Sequence, residues 1–332
     1  ASVDDSILKV TQMLSLKRSD AALIMGRDGG LAGIMTDVDI TRRVVAQRLD
    51  ASSAIVEMVM TPNPTCVTMS DSAMSALSIM VDNHFRHLPV LNDLGAIVGL
   101  LDIAKCLNDA ISKLERSQDK SSNAAELALK EMANLQGADG SQAEALQSLL
   151  GPLMNKAFGG NTSATLASIL TNRPATIVAP DSNILEVGLI MAEARKAALV
   201  VDHDGELVGI FGFKDMMCRV VAKELSLEGT PVESVMTPSP ESVSPEMTVL
   251  KALQIMHEHK FLTLPVCNQT TGAVLGIVDV MDLILSCDGP DGTGGLQNLF
   301  DSAFDIPDDA SESGSIASRD SRASRNSRMS GV

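Results

Sequence analysis

Val59-Met60-Thr61-Pro62 recurs 176 positions later as Val235-Met236-Thr237-Pro238, and the register holds on both sides of it. Leu88-Pro89-Val90 answers to Leu264-Pro265-Val266, Gly33-Ile34 to Gly209-Ile210, and Val44-Val45-Ala46 to Val220-Val221-Ala222, all at the same offset. Inside each half runs a shorter period, with Gly33 matched by Gly99 and Gly209 by Gly276. The chain is therefore four copies arranged as two pairs. Each copy reads as a strand, an amphipathic helix such as Ala73 to Val81, two short apolar runs (Leu88 to Leu91, Ile97 to Leu101) joined by a turn, and a closing helix from Asp102 to Ile111. The apolar period changes from 3.6 to 2 and back, and Asp28-Gly29-Gly30 and Asp204-Gly205 stand where a hairpin needs positive φ. A unit of roughly 50 residues cannot cover its own sheet, so the copies are expected to pack in pairs.

Composition narrows the function. The 332 residues are 45% hydrophobic and carry 26 Lys plus Arg against 42 Asp plus Glu, a formal charge of -16. Such a chain repels phosphate backbones and anionic lipid unless its cations cluster, and no cluster is seen. Trp and Tyr are absent, which removes stacking platforms, so a bound base is expected between aliphatic groups. The five cysteines are too widely spaced for a zinc ribbon or a disulfide framework, which suits a reducing, intracellular and cytoplasmic setting. Neither a signal peptide nor a membrane span is read. Between the pairs, residues 112–165 fall outside the repeat and their Leu and Met spacing predicts helices. From 288 to 332 the chain turns to Gly, Asp, Ser and Arg and is expected to be disordered, with Arg-x-Ser steps that suit either basophilic kinases or a merely solvated tail.

The Val-Met-Thr-Pro openings, the central Leu-Pro-Val and the Gly-Ile-x-Thr-x-x-Asp of residues 33–39 resemble the cystathionine-beta-synthase (CBS) domain, two of which make a Bateman module. The resemblance implies an α/β (α+β) fold with a first module over 1–111 (copies 1–46 and 59–111) and a second over 166–287 (copies 166–222 and 235–287). The first copy is read as incomplete, because the counterpart of Thr176-Ile177-Val178 falls at or before the first two residues. The layout is similar to four-copy plant, algal and fungal proteins that end in a Phox-and-Bem-type domain, for which no stretch is visible here.

The resemblance also implies a ligand, AMP, ADP or ATP, and no further cofactor. In the family a hydroxyl at the start of the last helix suits phosphate and a carboxylate one turn later accepts both ribose hydroxyls. Thr36 and Asp39 carry both features; Asp215 follows Gly212 in place of the hydroxyl, and Asp282 follows Asp279. Copy two has Lys105 where the carboxylate belongs and is expected not to bind. Partner copies would lend basic residues, with Arg86 and His87 facing Asp39 and Lys196 facing Asp282. The same Thr and Asp residues also suit plain helix capping. His84, His87, His257 and His259 lack a third ligand in register, so they read as surface or phosphate-facing rather than as a metal site. Three readings follow: a regulatory nucleotide sensor acting on an attached domain or an unidentified partner, an oligomerisation scaffold, and an enzyme, for which no stretch remains to hold a catalytic fold. The four copies are expected either to close into one disc within the chain or to meet in a homo-oligomer.

Overall fold

The computed structural model describes residues 1–113, 116, 164–170, 175–287, 300 and 303; most of the expected linker helices and of the tail lie outside these residues. Each copy is built on an antiparallel hairpin: Ala21–Met25 with Leu31–Thr36, His87–Leu91 with Ile97–Asp102, Ala198–Val201 with Leu207–Phe211, and Thr263–Cys267 with Val274–Asp279. All four carry an irregular step at the same place before the turn, at Ile24/Met25, Val90/Leu91, Val200/Val201 and Val266/Cys267. The turns rest on Gly29, Gly95, Gly205 and Gly272, whose φ of +71 to +85° is the conformation that the Asp-Gly pairs anticipate.

The helix before each hairpin starts and stops by the same chemistry. Ser6, Ser72, Asn183 and Thr248 are its N-caps, and each side-chain oxygen accepts the N–H of the residue three further on. Arg18, His84, Arg195 and Lys260 end it with positive φ. His84 is thus fixed by its place at a helix end. A parallel strand or bridge precedes each helix: Ser2 on Met25, Val67–Thr68 on His87–Leu91, Ile177–Val178 on Ala198–Val201, and Val243 on Val266.

The Val-Met-Thr segments complete the sheets. Thr61–Pro62 adds to Gly33–Ile34, and Thr237–Pro238 adds to Gly209–Ile210. A Cβ on Gly33 would lie 2.5 Å from Met60 Sδ, and one on Gly209 would meet Met236 Sδ as closely. Glycine recurs here because a methionine lies flat on the strand.

Helices join the two modules to each other within the chain. Copies one and three share a core that includes Ile7, Ile40, Val45, Ile184, Met191 and Met217, and copies two and four share another around Met80, Leu107, Leu253 and Leu283. Gly188 lets the first seam close, since a Cβ there would stand 2.8 Å from Val45. At this seam the closing helices of copies one and three widen into π turns, Ile40–Val45 and Met216–Val220, whereas copy four keeps an α-helix at Val280–Cys287. At the second seam His257 is buried, with Nδ1 2.9 Å from Asn108 Oδ1 and Nε2 3.3 Å from Ser112 Oγ. That corrects the surface or phosphate-facing reading of His257: its neighbours in the seam hold it, and the repeat pattern could not show which helix it meets. Phe300 and Ala303 also differ from expectation, being buried in the second core although composition placed them in a solvated tail.

Candidate functional site

The start of each closing helix is built around one carboxylate. In copy one the Thr36 N–H and Oγ1 both donate to Asp39 Oδ2 at 2.9 Å, while the Asp39 N–H donates back to Thr36 Oγ1 at 3.3 Å. Copy three repeats half of this, the Gly212 N–H donating to Asp215 Oδ2 at 2.9 Å. Copy four closes the loop with two carboxylates, Asp279 N–H to Asp282 Oδ2 at 3.0 Å and Asp282 N–H to Asp279 Oδ1 at 2.8 Å. In copy two only Asp102 remains, accepting from the Ala104 N–H at 3.0 Å. The capping role read from sequence is therefore real in three copies, and it uses one oxygen of Asp39 and of Asp215. Their other oxygens face Arg43 Nε at 3.5 Å and Arg219 Nε at 3.2 Å. Burial holds the Asp215 carboxyl above its usual range against the Gly212 N–H and the Arg219 charge.

Arg43 and Arg219 escaped the sequence reading. Each donates through Nη1 at 2.8 Å to the carbonyl of Val59 or Val235, tying the carboxylate to the Val-Met-Thr segment. The signal was present as Asp-x-x-x-Arg spacing, one helical turn, repeated at 176 residues.

Two cations enter from neighbouring copies. Arg86 Nη2 donates to Asp20 Oδ2 at 2.6 Å, and its Nε lies 3.5 Å from Asp102 Oδ1, buried and without a hydrogen-bond partner among the described residues. Lys214 of copy three reaches Asp20 Oδ1 at 2.7 Å, so one carboxylate of copy one holds cations from copies two and three. Burial works against the Asp20 charge, yet Arg86 and Lys214 together hold its carboxyl below the usual range. His87 lies 3.8 Å from Asp102, too far to bond, and burial, assisted by Arg86, pushes the imidazole down to about 4. The ring is neutral at pH 7. In the second module Lys196 binds both Asp279 and Asp282, which brings together the residues that the sequence paired.

Asp37, like Asp102, is a buried acid of this cluster. Burial pushes it up to about 7, with Asp20 adding and Arg86 opposing. Unfolded, the group ionises near 3.8, so the folded chain holds the extra proton between those values, and the stability this gives is lost as pH rises through 7. His87 has the opposite slope, since the unfolded ring takes a proton below 6.5 and the folded ring only near 4. Asp37→Asn should therefore raise the melting temperature more at pH 8 than at pH 5, by a free energy of at most about 4 kcal/mol. Thermal melts of both proteins at the two pH values check this, and an equal gain at both would contradict it.

Among the described residues no helix is long and apolar enough to cross a membrane. Family comparison finds the CBS domain at residues 56–109, 166–221 and 232–288. The first copy is not among the matched segments; its hairpin, cap and Val-Met-Thr strand repeat those of copy three. The Arabidopsis thaliana protein CBSCBSPB5 is 36% identical over 281 residues, which cover 84% of this chain and 49% of that one. The Schizosaccharomyces pombe meiotically up-regulated gene 70 protein is 28% identical over 297 residues, 83% of this chain and 40% of that one. The chain thus spans about half the length, or less, of these relatives. Protein MJ1225 of Methanocaldococcus jannaschii has the same fold, with a TM-score of 0.56 at 15% identity over 85% of this chain and 93% of that one.

Proposed function

The chain belongs to the CBS-domain family, and from that premise we propose that it is a non-catalytic regulatory module that binds adenosine nucleotides in the clefts between paired copies. The observation that carries this reading is Arg86, whose guanidinium stands between the two copies of the first module with a buried Nε that has no hydrogen-bond partner among the described residues. Buried donors are normally satisfied, and a phosphate oxygen is an acceptor that suits a guanidinium. The Asp39 site ranks first: Oδ2 is taken by the cap, and Oδ1, 3.5 Å from Arg43, has lone pairs to offer a ribose hydroxyl. Asp282 ranks second and Asp215 third. A nucleotide phosphate at Arg86 has to compete with Asp20, and Asp20 also holds Lys214 of the other module. Ligand binding in one module would thereby alter a contact with the next, which is the kind of differential contact that transmission to an attached domain or partner requires.

A second reading has its own support. Lys196 is already neutralised by Asp279 and Asp282, as it would be in a scaffold that only holds copies together. The two readings part on Asp39→Ala and Lys105→Asp. In the sensor, Asp39→Ala abolishes the strongest nucleotide site and Lys105→Asp leaves it intact, as read by calorimetric titration of each variant. Equal loss in both, or no loss for Asp39→Ala, contradicts the site assignment.

A further inference from the structure

Each copy has one residue directly before the first strand of its hairpin: Asp20, Arg86, Ala197 and Leu262. Asp20 and Arg86 hold this place in the same way. The Asp20 carbonyl accepts the Asp37 N–H and the Arg86 carbonyl accepts the Ile103 N–H, both at 3.0 Å, and each residue of the second pair follows its counterpart by 66 positions. From this place copy two offers a guanidinium and copy one a carboxylate. Copy two also has Lys105, 66 positions after Asp39, where the ribose carboxylate belongs. The sign of charge is thus exchanged at both positions, which leaves the second cleft of the module unsuited to a nucleotide.

The partners of Asp20 show what it does instead. Its side chain is 9% exposed, with Oδ2 2.6 Å from Arg86 Nη2 and Oδ1 2.7 Å from Lys214 Nζ. Cations from copies two and three converge on one small anion, an arrangement that suits a phosphate equally well. Arg86 and Lys214 hold the carboxyl below its usual range in spite of its burial. Module two has no such anion at this place, since Ala197 and Leu262 are apolar, and Lys196 there meets the motif's own Asp279 and Asp282.

We propose that Asp20 is the specificity-determining residue of the first module, a built-in anion that stands in the place of a ligand phosphate between Arg86 and Lys214. The proposal rests on the nucleotide reading of the Asp39 site and adds what sets the affinity of that site for phosphate. A phosphate monoester carries about −1.5 to −2 charges at pH 7 and three acceptor oxygens, against one charge and two oxygens on the carboxylate. A monoester or polyphosphate can therefore take both cations from Asp20, whereas an uncharged nucleoside gains nothing from them. The exchange also unfastens Lys214, which belongs to module two, from copy one.

The test titrates the whole chain and its Asp20→Asn variant calorimetrically with AMP and with adenosine. Asparagine keeps the shape of aspartate and removes its charge. The ratio of AMP to adenosine affinity should rise by about tenfold or more in Asp20→Asn, because the cations no longer have to be drawn from a carboxylate. Lys214→Ala, which truncates an exposed side chain, should lower the same ratio, and it decides the matter if Asp20→Asn does not fold. An unchanged ratio in Asp20→Asn, or in Lys214→Ala where the first variant is unfolded, overturns the proposal and leaves the nucleotide reading standing. If neither ligand binds any of the three proteins, the nucleotide reading fails, and pyrophosphate is the remaining probe. A larger rise in melting temperature with pyrophosphate for Asp20→Asn than for the parent then supports the built-in anion, and equal rises or none overturn it.

Discussion

Arg86→Met should lower the unfolding free energy by about 3–5 kcal/mol at pH 8 and by clearly less at pH 5. Arg86 is the cation between Asp20, Asp37 and Asp102 at the centre of the first module. Methionine keeps the length and apolar stem but leaves Asp20, Asp37 and Asp102 with Lys214 as the neighbouring cation. Removing one partner of a buried ion pair costs more than the pair contributes, because the remaining charge stays desolvated. The pH difference follows from sign. Without Arg86 the acids take up protons at higher pH, so acidification relieves the repulsion that neutral pH imposes. Urea unfolding at both pH values reads this directly, and a loss independent of pH would mean that Arg86 acts only as packing.

Phe211→Ala should cost about 3–5 kcal/mol, and Leu101→Ala, at the matching position of copy two, about half or less. Phe211 is 0% exposed in the core shared by copies one and three. Leu101 is half-buried and borders the open cavity, so its truncation enlarges a space that already exists. Equal costs would indicate that copy two is packed as tightly as copy three. Chemical denaturation of the two variants beside the parent makes the comparison.

Most of the fold was legible because it repeats. Four glycines with positive φ, four capped helices and two Val-Met-Thr strands are local features, each demanded by backbone geometry within a few residues, so they survive in sequence as period and motif. The partners between the two modules were not legible. That copy one faces copy three follows from which apolar helix faces match in shape, and the π turns at Ile40–Val45 and Met216–Val220 arise from that packing, with no residue type to announce them. His257 shows the same limit, since its spacing to His259 invites a metal reading while its real neighbours, Asn108 and Ser112, lie 149 and 145 residues away.

The candidate site was legible in part. Thr36, Asp39, Asp215 and Asp282 stand where the motif puts them, and Lys196 meets Asp282 as paired. The carboxylates that compete for the cations were missed. Asp20 comes just before a strand and carries no motif, yet it holds Arg86 and Lys214, and Asp37 adjoins Thr36 and is buried within reach of the charges of Arg86 and Asp20. A motif names groups by their spacing along one copy; it does not record the counter-charges that other parts of the chain bring to them.

The most direct test of the sensor reading is calorimetric titration of the purified chain with AMP, ADP and ATP, after its ultraviolet spectrum is recorded. With no Trp and no Tyr, the protein absorbs little at 280 nm, so a co-purified nucleotide stands out at 260 nm. The account predicts binding of at least one of the three nucleotides at one to three sites per chain, weakened most by Asp39→Ala. A clean spectrum with no heat from any of them would contradict it and leave the four copies as a scaffold.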